Sequence, residues 1–310
     1  MRPRPVSNGM NIIGHKYIFL SFSGLLVAAS LAAFGLWGLK PGIDFTGGSL
    51  LEVEFKDARP DFSSLAKTLE SELGSVLIQP VGDKGLLLRF KHIDEDLHQR
   101  VLRVLGAGSG EQGSSLVEKR FDTIGPTIGQ ELKRRSLIAL AIASLGIIIY
   151  LAWAFRNISR PVSSWKYGLI AVVVAFLHDV LIPTGIFSAL GYYKNIEVDT
   201  LFITALLTIL GFSVHDTIVV FDRIRENLRK LQVPESFDVT VNRSVNETLV
   251  RSINTSFTVL LVLCVIFFLG GETTRYFSLA LIFGIVFGTY SSIFIASPLL
   301  VIWNNLTQKS

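Results

Sequence analysis

Six long apolar runs dominate the pattern of hydrophobic and polar positions along this chain. A helix needs about 20 residues to cross the roughly 30 Å of hydrocarbon in a membrane, and the runs are close to that length or longer. The first run has 23 residues, which is too long for the core of a signal peptide, and no A-x-A cleavage site follows it. It therefore predicts an uncleaved helix. The predicted spans are 17–39, 136–155, 167–190, 200–221, 254–270 and 276–303.

Lysine and arginine are distributed unevenly between the two sides that six spans create. Short cytoplasmic loops of membrane proteins carry an excess of basic residues, whereas long translocated domains do not follow this rule. Thirteen basic residues lie on the side of the two chain ends, and two lie in the short loops of the other side. The pattern predicts cytoplasmic ends at 1–16 and 304–310, a cytoplasmic loop at 222–253 and an external segment at 40–135.

The external segment has the periodicity of a small folded domain. Alternating apolar and charged residues at 51–55 are typical of a half-buried strand. Apolar residues at helical spacing predict two helices, one after Asp61 and one after Asp94. A hairpin around the turn at 82–85 lies between the helices, and the run at 116–121 supplies a last strand. The order β-α-β-β-α-β predicts a ferredoxin-like α+β domain.

Composition supports this division of the chain. Hydrophobic residues make up 50% of the 310 residues and charged residues 17%, against about 25% in ordinary soluble proteins. The segment 40–135 holds 29 of the 54 charged residues, and Cys264 is the single cysteine. These values exclude a cytosolic enzyme, a disordered protein and a secreted disulfide scaffold. We predict an all-α bundle of six transmembrane helices, five of them at 136–303, with the α+β domain between helices one and two.

No set of residues in the sequence indicates an enzyme. The run 108–113 matches the spacing G-x-G-x-x-G, but a predicted helix precedes it where a nucleotide site needs a strand, so a flexible loop is expected. We find no nucleophile–base pair and no cluster of metal ligands. The sequence therefore predicts no catalytic residue, no metal and no cofactor, and its basic residues flank apolar runs rather than indicate nucleic acid.

Ionisable residues at membrane depth are the candidates for function, because burying them there is costly. Asp216, beside His215 in the fourth span, is the main candidate, since the charge of a buried carboxyl group depends on nearby water and cations. Such a group can load and release a proton, and the alternative is a static carboxyl group that joins two helices. Arg251 begins a polar stripe with Thr255 and Thr258 at helical spacing. The alternative for Arg251 is an arginine that extends to the membrane interface.

The third span carries His178 and Asp179 near its middle. Asp179 precedes Pro183 by four residues, and proline cannot donate the helical hydrogen bond to the carbonyl of Asp179, so a bend is predicted there. Asp179 fits either a proton path or a purely structural kink. Both His178 and His215 fit either a proton relay or a simple bond to a neighbour.

Small residues form a stripe in the last predicted span. Gly284, Gly288 and Ser292 recur every four residues, a spacing that allows close contact between helices. Packing within the chain is expected, with a subunit interface as the alternative. On the cytoplasmic side, the residues 223–231 predict an amphipathic helix, stopped before Pro234, that meets lipid headgroups or a cytosolic partner.

Three stretches of the sequence resemble the signatures of the SecD/SecF family of export proteins. The run Gly-Ile-Asp-Phe-Thr-Gly-Gly at 42–48 is similar to the family's G-x-D-F-x-G-G motif. The residues 211–227 resemble the family's fourth span, and Phe-Leu-His-Asp at 176–179 resembles its third. The order of one span, an external domain and five further spans extends the resemblance to the whole chain.

The resemblance implies an accessory subunit of the bacterial Sec translocase in the inner membrane, within the resistance-nodulation-division superfamily. Such a subunit forms a heterodimer with SecD and works beside the SecY/SecE/SecG channel, the SecA motor and a YajC-like subunit. It contacts membrane lipids and the unfolded polypeptide in transit, and it uses the proton motive force to promote export after the SecA-driven steps. Two other interpretations stay open: an exporter subunit for lipids or small molecules, and a passive scaffold of the translocase.

The resemblance also implies roles for individual residues. The family's essential membrane aspartate corresponds to Asp216, and its partner arginine corresponds to Arg251. Family members often have asparagine where this chain has His215, which predicts a changed pH range of coupling or a different coupling ion. The glycine motif connects the first span to the external domain, and either a hinge or a tight helix-to-strand turn fits it. Its residues are Gly42, Asp44, Phe45, Gly47 and Gly48.

Overall fold

The structure is a computed structural model that describes residues 9–56, 62–107, 116–154, 169–171, 173–230 and 235–307. The chain divides into two compact units. We call Pro41–Leu137 the sheet unit, and we call Met1–Lys40 together with Ile138–Ser310 the helical unit. The glycine-rich run 108–113 lies outside the described residues. The helix before it ends at Ala107.

The first helix, α1, spans Lys16–Trp37 and follows a 3₁₀ turn at Ile13–His15. The sheet unit then contains, in chain order, α2 at Ile43–Thr46, β1 at Gly48–Phe55, α3 at Phe62–Leu73, β2 at Leu77–Val81, β3 at Gly85–Phe90, α4 at Glu95–Ala107 and β4 at Leu116–Ile124. The predicted order of strands and helices from β1 to β4 is thus observed, preceded by the short helix α2.

The four strands form one antiparallel sheet in the order β2-β3-β1-β4. Alternate side chains of the two central strands point to one face, where they are covered by apolar side chains of α3 and α4. The small antiparallel sheet domain that the periodicity predicted is therefore confirmed. The core residues are Leu51, Val53, Phe55, Leu86, Leu88 and Phe90 from the strands, and Leu69, Leu73, Val101 and Leu105 from the helices.

Glycine is required where α2 meets the sheet. Gly47 and Gly48 have φ angles of 73° and 133°, which side-chain-bearing residues rarely adopt. A Cβ on Gly47 would lie 2.8 Å from the Cα of Pro126, and one on Gly48 would lie 2.8 Å from the carbonyl oxygen of Phe90. A Cβ on Gly129 would in turn lie 2.8 Å from the backbone nitrogen of Gly47. The second half of the motif is therefore a tight turn pressed between the sheet rim and the residues that follow β4.

The remaining helices are long and mostly apolar. Helix α5 spans Pro126–Ala154, α6 spans Leu181–Lys194, α7 spans Thr200–Lys230, α8 spans Phe237–Leu269, α9 spans Glu272–Ser291 and α10 spans Ser297–Thr307. Within the described residues, four helices are long and apolar enough to cross a membrane: Ile13–Trp37, Thr200–Lys230, Phe237–Leu269 and Thr273–Thr307. The second and third predicted spans include residues outside the described ranges.

Helices α7 and α8 extend beyond the spans predicted for them. The predicted loop 222–253 is helical up to Lys230 and again from Phe237. Charged pairs at helical spacing support the extension of α7: Glu226 accepts a hydrogen bond from Arg223 at 2.6 Å and contacts Lys230. The predicted amphipathic helix is thus a continuation of the fourth span and not a separate element.

Two π-helical turns interrupt the described helices of the helical unit. The first, Ala175–Val180, contains His178 and Asp179 and precedes Pro183, where the sequence predicted a bend. The second, Ser292–Ala296, joins α9 to α10. The hydroxyl group of Thr184 donates to the carbonyl oxygen of Val180 at 2.7 Å, next to the carbonyl of Asp179 that Pro183 leaves without its helical donor. Such turns re-aim side chains within a helix and are frequent at functional sites.

The tight turn at Gly47 gives the first testable prediction. Gly129→Ala places a methyl group against the backbone of Gly47 and should destabilise the sheet unit by about 1–3 kcal/mol, the usual cost of overpacking. Gly106→Ala is the matched control, because among the described residues no atom outside the adjoining turns of α4 lies within 4 Å of its added Cβ. Protease resistance of the sheet unit, measured in urea on the full-length chain in detergent, should fall in the first variant only. Equal resistance of both variants would contradict the packing.

Candidate functional site

Asp216, the acid that the sequence analysis selected in the fourth span, lies on helix α7. Its side chain is buried, with 7% of its surface exposed. One carboxylate oxygen, Oδ1, accepts a hydrogen bond of 2.7 Å from the hydroxyl group of Ser252 on α8. The other oxygen, Oδ2, is buried and has no hydrogen-bond partner among the described residues. The carboxyl group is therefore only half satisfied within the chain.

Arg251 and His215 lie beside this contact and do not complete it. Both residues are exposed on the surface of the isolated chain. Among the ion pairs of the described residues, none joins Arg251 to Asp216 within 4.0 Å. Successive residues of a helix point about 100° apart, so Ser252 faces α7 while its neighbour Arg251 faces outward. The residue that contacts Asp216 is thus Ser252, one position beyond the arginine that the sequence suggested.

The polar stripe that begins at Arg251 lies on the outer surface of α8. Thr255 and Thr258 are exposed like Arg251. Their hydroxyl groups donate to backbone carbonyl oxygens of their own helix, at 3.0 Å to Arg251 and 2.8 Å to Thr255. The stripe is therefore free to meet lipid or another protein, and no described residue of this chain covers it.

Asp179 sits in a more complete polar environment. It is fully buried, and its Oδ1 lies 2.7 Å from Nδ1 of His178. Its Oδ2 accepts hydrogen bonds from the hydroxyl group of Ser291 at 2.8 Å and from that of Ser213. Three elements therefore converge on one carboxyl group: the first π-helical turn, α7 and α9.

Hydroxyl groups continue the contact between α7, α8 and α9 on either side of the two acids. Thr217 and Ser292 are hydrogen bonded at 2.9 Å, and Ser256 and Thr289 at 2.5 Å. The hydroxyl group of Ser292 also lies 3.3 Å from the carbonyl oxygen of Ser213. Ser213, Ser252 and Ser291 were missed by the sequence analysis. The one signal that could have identified them is position: Ser213 lies within one helical turn of Asp216, and the other two lie directly beside the selected residues Arg251 and Ser292.

The small-residue stripe of α9 lies against α7. A Cβ on Gly284 would overlap the side chain of Ile209, and a Cβ on Gly288 would lie 3.3 Å from Cβ of Ser213. Ser292, the last residue of the stripe, is fully buried. The close approach of α9 brings Ser291 and Ser292 within hydrogen-bonding distance of α7 and the first π-helical turn.

The glycine motif belongs to the sheet unit, whereas the two acids belong to the helical unit. Gly42 precedes α2, and its carbonyl oxygen accepts from the backbone nitrogen of Phe45 at 3.0 Å. Asp44 and Phe45 are partly buried. In the part of the chain that the structure describes, no group of three His, Cys, Asp or Glu side chains could hold a metal ion.

The chain was compared with known families and structures. The family model "Protein export membrane protein SecD/SecF, C-terminal" matches residues 107–306, and the "SecD/SecF GG Motif" matches 38–58. The protein translocase subunit SecF of Thermobaculum terrenum is 41% identical over 308 residues, which is 96% of this chain and 94% of that relative. The SecF subunit of Synechocystis is 38% identical over 91% of this chain and 90% of its own length.

Solved structures show the same relationship. The crystal structure of SecDF, a translocon-associated membrane protein from Thermus thermophilus, covers 98% of this chain with a TM-score of 0.82 and 32% identity. This chain spans 40% of that SecDF chain. A super-membrane-facing form of SecDF matches with a TM-score of 0.67 and 33% identity, over all of this chain and 41% of the other. The chain therefore belongs to the SecD/SecF family of protein-export membrane proteins.

Proposed function

We propose that this chain is an accessory subunit of the Sec protein translocase that, together with SecD, uses the proton motive force to promote export after the SecA-driven steps. The proposal gives it six spans in the bacterial inner membrane, cytoplasmic ends and an external ferredoxin-like domain. It would work beside the SecY/SecE/SecG channel, SecA and a YajC-like subunit. Its full-length relatives are translocase subunits, and the likeness to SecDF extends over the whole chain, which supports this proposal.

The observation that carries the proposal is the half-satisfied carboxyl group of Asp216. Oδ1 has a hydroxyl donor, whereas Oδ2 is buried with no partner among the described residues. An ionised carboxyl group at membrane depth is costly without a cation or further donors, and a protonated one is far less so. A carboxyl group with one open oxygen therefore fits a site whose protonation changes during a working cycle better than it fits a static helix contact.

A second state of the site would involve the two exposed neighbours of Asp216, which are Arg251 and His215. Arg251 precedes Ser252, on the buried face of α8, by one position, so a rotation of α8 by about 100° would exchange Ser252 for Arg251 opposite the carboxyl group. The serine contact suffices when Asp216 is protonated, and the arginine offsets the charge when Asp216 is ionised. His215, the exposed neighbour of Asp216 on α7, can affect the pH at which the exchange occurs.

Movement at Asp216 would be carried along α7 and α8 as a pair. Toward the cytoplasmic ends of these helices, Arg223 donates to Glu247 at 2.6 Å, and Asn227 donates to Glu247 at 2.8 Å and to Ser244 at 2.9 Å. These bonds hold the two helices in register below the acid. We propose that the glycine motif at 42–48 serves as the connection through which such a movement reaches the external domain.

The outer surface of α8 offers the contact with SecD or with lipid. From Arg251 toward the C-terminal end of α8, large apolar side chains are exposed along the helix, and a membrane environment suits such a surface. The exposed Arg251 next to the buried Asp216 also marks a surface on which a helix of a partner protein can pack. Such a helix would supply the hydrogen-bond donor that Oδ2 of Asp216 lacks among the described residues. The exposed apolar residues are Ile253, Phe257, Leu261, Val262, Val265, Phe268 and Leu269.

Asp216→Asn tests the proposal directly. The amide keeps the size of the side chain but cannot change charge, so gradient-dependent export should fall to the level measured without a gradient. Export of a reporter into inverted membrane vesicles, at equal levels of this chain and SecD, gives the measurement. Asp238→Asn is the control, because Asp238 lies far along α8 from the acid site and makes two long contacts of 3.4 Å, an ion pair with Lys16 and a hydrogen bond from Asn305, and such partly exposed pairs contribute little. Full gradient stimulation in the first variant would favour the passive scaffold.

Ser252→Ala tests the partner that the structure assigns to Asp216. Loss of a donor to the ionised carboxyl group disfavours the charged form, so the pH dependence of gradient-driven export should move to higher pH. Ser256→Ala is the matched control, since Ser256 is buried one turn along α8 and its side-chain partner is Thr289. The proposal fails here if the two alanine variants share one pH profile with the parent chain.

A further inference from the structure

The pair formed by His178 and Asp179 has features that a structural kink does not explain. Both side chains are buried, with exposed fractions of 4% for His178 and 0% for Asp179. Nδ1 of His178 lies 2.7 Å from Oδ1 of Asp179, whereas Nε2 of His178 is buried and has no hydrogen-bond partner among the described residues. A kink at Pro183 needs neither an acid nor a base at this place.

The charge of the pair depends on a single proton. With a neutral His178 that donates from Nδ1, Asp179 is ionised and the pair carries one negative charge. Uptake of one proton at Nε2 gives an imidazolium–carboxylate pair with no net charge. Transfer of the Nδ1 hydrogen to Oδ1 then gives a neutral imidazole and a carboxylic acid, also with no net charge. Only N–H and O–H bonds form and break in these steps, and burial at membrane depth favours the neutral forms.

The surroundings of the pair leave few other groups that can compensate its charge. Helix α7 brings Ser213 and the acid Asp216, and α9 brings Ser291 and the phenol of Tyr290, whose ring lies 6.0 Å from that of His178. Helices α1 and α6 also pack against this turn. They contribute no charged side chain within 17–37 or 181–193. A change in the charge of the His178–Asp179 pair therefore changes mainly the electrostatic potential at Asp216.

The position of the pair relates it to Asp216. Ser213, which donates to Asp179, precedes Asp216 by three residues on α7, or about 4.5 Å along the helix axis. Helix α7 runs from the external to the cytoplasmic side on the topology predicted from the basic residues. Asp179 therefore lies about one helical turn closer to the external side than Asp216. A proton that moves inward meets the pair first.

We propose that His178 and Asp179 form a second proton-carrying site, through which a proton from the external side passes before it reaches Asp216. The inference rests on the proposed function in one respect, the inward movement of protons through Asp216. Nε2 of His178 is the entry atom, and Oδ1 of Asp179, which receives the hydrogen of Nδ1, is the exit. Release of that proton leaves Asp179 ionised, and the hydrogen on Nε2 of His178 returns to Nδ1 before the next proton is taken up. The other oxygen of Asp179, Oδ2, is contacted by the hydroxyl groups of Ser213 on α7 and Ser291 on α9.

Infrared difference spectra between mildly acidic and mildly alkaline pH test the site without any need for transport. The sample is the full chain with SecD in liposomes. The Asp216→Asn variant should keep one buried carboxyl band, and the band should disappear when Asp179→Asn is added. His178→Gln should shift the pH at which this band changes. Ser188→Ala, which removes a buried hydroxyl group bonded to the carbonyl of Ala33, is the control and should leave the spectrum unchanged.

Two results would overturn the proposal. One is an Asp216→Asn spectrum in which no titrating band depends on Asp179. The other, which remains readable if Asp179→Asn does not fold, is a His178→Gln variant whose carboxyl bands and pH profile of export equal those of the parent chain. Export without any gradient dependence, together with a titrating Asp179, would instead refute the proposed function and leave the second site standing as a protonatable pair.

Discussion

The structure of the helical unit depends on how two acids are accommodated at the depth of a membrane. Burying a carboxyl group there is costly unless donors or a cation surround it. Asp179 receives donors from three elements, and Asp216 receives one from Ser252. The small residues of α9 and the hydroxyl-bearing faces of α7 and α8 bring hydroxyl groups to these two carboxyl groups, and the π-helical turn before Pro183 places Asp179 among them.

This arrangement explains why the helices approach so closely. Without a hydrophobic driving force between helices in lipid, association relies on close packing and interhelical hydrogen bonds. Gly284 and Gly288 supply the first by letting α9 lie directly on α7, and Ser291 and Ser292 supply the second. The same contacts connect Asp179 to α7 near Asp216, so packing and the proposed proton chemistry use one set of residues. A shift of one helix would necessarily alter both.

The sequence predicted much of this arrangement, and its failures have physical causes. Alternation at 51–55 and helical spacing after Asp94 were sufficient for the sheet unit, because burial on one face imposes those periods. Asp216 and Asp179 were found because a charge in an apolar run is conspicuous. Ser252 was missed because serine is common and neutral, and only the rotation of α8 shows that it, and not Arg251, faces the acid. The helix predicted at 223–231 is observed up to Lys230, but its continuity with the fourth span was missed, because the change from apolar to charged residues at Asp222 resembles the end of one element.

The central claim is that protons cross the membrane through this chain and SecD as substrate moves. Proton flux into liposomes that contain both subunits and the translocase, recorded with a pH-sensitive dye while a preprotein is being exported, tests this claim most directly. The account predicts flux that rises with export and disappears when the export substrate is omitted. Gradient-stimulated export with no more proton flux than liposomes lacking the two subunits would contradict it.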